Sequence, residues 1–115
     1  MKASMVVALG VVLGASQMAA PEEDAVARGK RLFTESKCTM CHSVAGKGNP
    51  KGPLDGVGAR LLPADLRKWL VEPKAMAAKA KAERKPVMPS FETLKKEELD
   101  ALVAYLGSLK TPPSK

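Results

Sequence analysis

Residues 38–42 read Cys38-Thr39-Met40-Cys41-His42, and these five positions hold both cysteines and the single histidine of a 115-residue chain. A disulfide, a structural zinc site, a redox dithiol and a covalent haem anchor all use such residues. Zinc in a structural site takes four ligands, usually with a second Cys or His pair elsewhere, and the chain has none. A thioredoxin-like dithiol belongs in a βαβ context, which this sequence does not offer. A Cys38–Cys41 disulfide closes a very short loop and stabilises little.

Covalent haem fits these five residues best. Two intervening residues put both sulfurs on one side of a helical turn, within reach of the two vinyl groups on one edge of a porphyrin. Thr39 and Met40 are the spacers. The adjacent His42 is then placed to bind the iron through Nε2, and C-x-x-C-H is the spacing of c-type attachment.

The rest of the composition points the same way. Lys2 and the apolar run MVVALGVVLGA (5–15), followed by small and polar residues, read as a secretory signal over 1–20. That run is shorter than the roughly 20 residues of a membrane span. Retained, it would act as a tether; cleaved near Ala20, it leaves a single domain over 21–115. The expected location is periplasmic or otherwise exported, an oxidising setting in which two thiols need a partner. Thioether formation consumes both.

The core is also short of filling. Phe33, Trp69, Phe91 and Tyr105 are the only aromatic residues, against nine prolines and nine glycines. So small a domain calls for a staple, a metal or a large apolar cofactor. The net charge is +7, which favours an acidic partner. Nucleic acid is not expected, because stacking platforms and groove-reading motifs are missing.

Helical signals dominate after residue 21, and the fold class is all-α. EEDAVARGKRLFTESK (22–37) has acids at its positive end and Val26, Gly29 and Phe33 at helical spacing. Gly29 in mid-helix costs about 1 kcal/mol against alanine, so a close backbone contact is expected there. VAGKGNPKGPLDGVGAR (44–60) reads as loop. PADLRKWLVEP (63–73) is a short helix with Leu66, Trp69 and Leu70 on one face, and KAMAAKAKAERK (74–85) is an Ala/Lys-rich helix. The last helix carries Leu99, Leu102, Val103, Leu106 and Leu109 as its apolar stripe.

Two methionines outside the signal and the haem motif compete for the second axial position. Met76 falls in a helix, where a thioether usually packs. Met88 lies in PVMPSF (86–91), where Pro86 and Pro89 exclude helix and restrict the loop before it orders. Met88 is the expected ligand; an open or water-bound iron is the other possibility.

Taken together, 22–109 resembles the small class I (mono-haem) cytochromes c. GKRLFTESKCTMCH matches that family's Gly-x-x-x-aromatic helix leading into the haem motif, and LVAYL its C-terminal helix. VMPSF matches its Met-Pro ligand loop, and DLRKWLVEP is similar to its middle helix. The resemblance implies four to five short helices wrapped around one haem, with Gly29 and Phe33 meeting Leu102 and Tyr105. It also implies that KGPLDGVG supplies the Pro53 carbonyl as acceptor for His42 Nδ1–H, and that Trp69 packs beside a haem propionate or in the core. A Ser or Thr often caps the family's last helix; here the position is Lys95.

An iron held by His42 and Met88 has no position free for substrate. That favours one-electron transfer between redox proteins over enzymatic chemistry, at a positive potential. Lys74, Lys79, Lys81, Arg84 and Lys85 precede the ligand loop and are expected to steer acidic redox partner proteins. The expected protein is a monomeric, diffusible carrier. Its alternatives are a small subunit of a periplasmic or membrane-bound oxidoreductase complex, and a ligand sensor or peroxidase whose Met88 leaves the iron.

Overall fold

The computed structural model describes residues 23–113 and the isolated positions 8, 10, 11 and 14. The expected signal over 1–20 therefore lies almost wholly outside the described residues. Among the described residues, no helix is long and apolar enough to cross a membrane.

Five α-helices carry the fold: α1 (Ala25–Glu35), α2 (Val57–Arg60), α3 (Pro63–Val71), α4 (Pro73–Ala80) and α5 (Lys96–Ser108). The all-α expectation holds, with one small addition. Ser43–Val44 (β1) and Lys47–Gly48 (β2) form a two-stranded antiparallel ribbon. Ala45 and Gly46, with φ of 51° and 80°, make its two-residue turn, the positive-φ pair that matches strand twist. Two residues per strand leave no alternation to read in a sequence.

Asp24 caps α1, its carboxylate accepting the Ala27 N–H at 2.8 Å, which satisfies one of the free donors of the first turn. Gly29, Leu32 and Phe33 are the buried face. Val26, expected on that face, is 41% exposed. Crossing helices diverge on either side of their contact, and Val26 lies a full turn ahead of it.

The contact itself is set by Gly29. A Cβ there would overlap the Ala101 carbonyl oxygen and lie 2.6 Å from Tyr105 Cβ. One turn on, the Phe33 and Tyr105 rings meet edge to face, centroids 5.5 Å apart at 65°, a favoured aromatic geometry. The crossing therefore draws Ala101 and Tyr105 into the buried face of α5 beside Leu99, Leu102 and Leu106, while Val103 and Leu109 are half-buried. Leu102, 1% exposed, is at its centre.

At the start of α5 the Glu98 carboxylate accepts the Lys95 N–H at 3.1 Å. The acid three residues into the helix thus does part of what a capping hydroxyl would do.

The segment 44–60 is less featureless than expected, because α2 closes it. Gly58 N–H donates to the Leu109 carbonyl at 2.9 Å, so a partner some fifty residues away stabilises one helical turn. In α3, Leu66 and Leu70 are buried, and Arg67 pairs with Asp100 of α5. Pro73 both follows the end of α3 and opens α4, where its missing N–H costs nothing.

Candidate haem site

The five residues 38–42 sit at the foot of α1. Lys37 takes a left-handed conformation (φ 60°) and Cys38–Met40 form one 3₁₀ turn. Met40 N–H donates to the Lys37 carbonyl at 3.1 Å, and His42 N–H to the Cys38 carbonyl at 2.9 Å. Cys38 and Cys41 are half-buried free thiols, and Cys38 packs on the hydrophobic core. Burial pushes the Cys38 thiol up to about 11, so the neutral S–H dominates at pH 7.

His42 is held through its ring. Its Nδ1–H donates to the Gly52 carbonyl at 3.0 Å, so the lone pair of the neutral imidazole is on Nε2. Burial lowers the pKa of His42 and the Arg84 cation lowers it further, against the Gly52 hydrogen bond that raises it.

The acceptor is thus Gly52, one residue before the expected Pro53. Ser43 and Pro53 form a parallel bridge in which Ser43 N–H donates to Gly52 O at 3.0 Å and Leu54 N–H to Ser43 O at 2.9 Å. Successive carbonyls of extended backbone point to opposite sides. Gly52 O faces the 42–43 backbone, and Pro53 O is turned away from it.

Asn49 was not singled out by sequence reasoning. Its N–H donates to the Thr39 and His42 carbonyls, each at 3.1 Å. Its side-chain Nδ2 donates to Met40 O at 3.0 Å while Oδ1 accepts Lys51 N–H at 3.0 Å. One residue thereby ties down the turn that carries both cysteines. The only hint in the sequence is the turn-forming pair Asn49-Pro50.

Met88 lies in the irregular stretch between Pro86 and Pro89, half-buried and packed against the core. The far end of that stretch is pinned to α3. Phe91 N–H donates to Leu70 O at 2.8 Å and Ser90 Oγ to Val71 O at 2.7 Å. Met76, half-buried in α4, and Trp69, half-buried in α3, are not among the described residues that pack on the core. Lys74, Lys79, Lys81, Arg84 and Lys85 are all exposed.

These donors fit a haem: two neutral thiols a turn apart, an imidazole with Nε2 free of its hydrogen bond, and a thioether on the same core as Cys38. They do not fit zinc. Among the described residues no three His, Cys, Asp or Glu side chains gather as a metal-ligand cluster.

Comparison with known proteins agrees. The family described as cytochrome c matches residues 26–110. At 31% identity over 99 residues, the chain is also similar to cytochrome c oxidase subunit 2 of Alkalihalophilus pseudofirmus (strain ATCC BAA-2126 / JCM 17055 / OF4). That match covers 78% of this chain and 27% of the relative, so the chain spans about a quarter of that protein. No solved structure matches significantly. The chain belongs to the cytochrome c family. It is a c-type cytochrome, of a family that carries covalently bound haem c with its iron.

Proposed function

We propose that this chain carries one haem and shuttles single electrons between redox proteins, with iron held by His42 and Met88. The haem supplies a reversible one-electron couple; the protein's residues hold it, shield it and set its potential. Cys38 and Cys41 would tether it as thioethers, each S–H adding across one vinyl double bond, which would consume both thiols without an oxidant.

His42 offers Nε2 because Gly52 O holds Nδ1–H, which fixes the tautomer and the ring orientation. This hydrogen bond is the observation that carries the reading. Met88 supplies a soft, neutral sulfur, which raises the potential relative to a second histidine. The apolar core excludes water and favours the less charged, reduced state.

The test is the visible spectrum of the ferric protein. The weak red band of sulfur-bound ferric haem should vanish in Met88→Ala and persist in Met76→Ala. Its persistence in Met88→Ala would overturn the ligand assignment.

Lys74, Lys79, Lys81, Arg84 and Lys85 make a basic rim that steers acidic partners into brief encounters. Electron exchange with an acidic partner should then slow steeply between low and physiological salt. The protein is taken to act after export, in the periplasm, as a monomer.

A second reading is favoured by the similarity to an oxidase subunit. In it the chain works within an oxidoreductase complex, as that enzyme's cytochrome component. Purification from the native membrane fraction separates the two: a carrier leaves as a soluble monomer, a subunit with a larger partner.

A further inference from the structure

Arg84 precedes Met88 by four residues, yet its guanidinium reaches the histidine side of the site. A Cβ at Gly52 would overlap Arg84 Nη1 and lie 3.0 Å from Arg84 Cζ; it would also overlap the Cys41 carbonyl oxygen. The guanidinium is therefore seated on the Gly52 α-carbon, and the missing side chain is what admits it. Gly52 is the residue whose carbonyl accepts His42 Nδ1–H. Among the described residues no carboxylate pairs with Arg84, whereas Arg31 pairs with Glu23 and Glu35, and Arg67 with Asp100.

We propose that Arg84 is a positioning residue for electron transfer, its uncompensated charge on Gly52 acting through the His42 ring to favour the reduced iron. Two effects run in the same direction. A cation near the iron stabilises whichever state carries one more electron. A cation beside the Gly52 peptide also opposes the negative potential of its carbonyl oxygen, which weakens the pull on Nδ1–H and makes His42 a less basic ligand. A less basic imidazole stabilises ferric iron less. Lys74, Lys79, Lys81 and Lys85 are exposed as Arg84 is, but Arg84 is the one whose side-chain atoms are among those nearest Gly52.

The inference rests on His42 and Met88 being the axial pair, and its test is separable from that reading. The holoprotein is compared with Arg84→Ala, Arg84→Lys and Lys85→Ala by redox titration, visible spectroscopy and the NMR shift of His42 Nδ1–H. At a fixed ambient potential and low salt, the reduced-to-oxidised ratio should fall about three-fold in Arg84→Ala. Arg84→Lys should recover part of that loss, and Lys85→Ala should change the ratio far less. The Nδ1–H resonance should move most in Arg84→Ala, less in Arg84→Lys, and stay in place in Lys85→Ala.

Equal shifts in Arg84→Ala and Lys85→Ala would make this a general surface-charge effect and overturn the proposal. So would an unchanged ratio, or loss of the red band in Arg84→Ala, which would make Arg84 a brace for the ligand loop. Absence of the band from the unsubstituted protein would instead defeat the Met88 assignment itself.

Discussion

The crossing of α1 and α5 and the stretch 81–92 are built on opposite principles. At the crossing, Gly29 lets two backbones touch, and Leu32, Phe33, Leu102 and Tyr105 are all buried around that contact. In the stretch 81–92, only Met88 and Phe91 are half-buried and the rest are exposed. Its attachment to α3 is a few hydrogen bonds from Ser90 and Phe91. The first region supplies stability by excluding water from apolar surface. The second brings a sulfur to the site with little cost in packing, so chemistry and stability can be changed separately.

The largest expected effect lies outside both regions, at the Cys38–His42 turn that follows α1. Replacing Cys38 and Cys41 together by serine should abolish covalent attachment, so that acidified organic solvent extracts all the haem. Colour still bound to the chain after extraction would refute the thioether assignment.

Next comes Gly29→Val, which pushes a side chain into the Ala101 carbonyl. It should cost about 3 kcal/mol, at the upper end for overpacking, read as a shift in the denaturant midpoint. Val26→Ala, on the exposed side of the same helix, should stay within about 0.5 kcal/mol of the parent. Similar losses in both would mean that the crossing is not where stability resides.

Met88→Ala sharpens the contrast from the other region. It should shift the potential negative and remove the red band, while lowering the denaturant midpoint less than Gly29→Val does. A larger loss of stability than at Gly29 would erase the distinction drawn above.

The smallest effect is at Glu23. Arg31 holds its carboxyl below the ordinary 4.5. The pair therefore contributes above that value and is lost as the pH falls through the lowered one. Both side chains are exposed, so screening leaves little. Stability of Glu23→Gln at pH 7 should match that of the parent within error, and a clear difference would show that surface pairs matter here.

Legibility followed the range of the interactions. Pro63 and Pro73 were readable as helix boundaries because a proline acts within one turn, whereas the expected helices over 22–37 and 74–85 shorten to Ala25–Glu35, with Asp24 as its cap, and Pro73–Ala80. The faces were readable less well. Val26 and Trp69 fit the periodicity but lie off the core; Ala101 was missed although buried, and Tyr105 was placed at the crossing by the family resemblance rather than by the apolar stripe. A small residue and a polar-tipped ring carry little hydrophobic signal; the close approach at Gly29 buries them. The family resemblance was legible from the glycine–aromatic spacing and the Cys-x-x-Cys-His turn.

By itself the sequence determined the all-α class, the cysteine–histidine turn suited to covalent haem, and the proline-bracketed methionine. All of these are short-range matters of spacing and permitted backbone angles. Only the tertiary structure decided that Gly52 rather than Pro53 holds the imidazole, that Asn49 ties the turn, and that Arg84 rests on Gly52. Those facts depend on which groups distant in the chain arrive at the same place. That is fixed by packing and by the alternation of paired backbone, which no local spacing records.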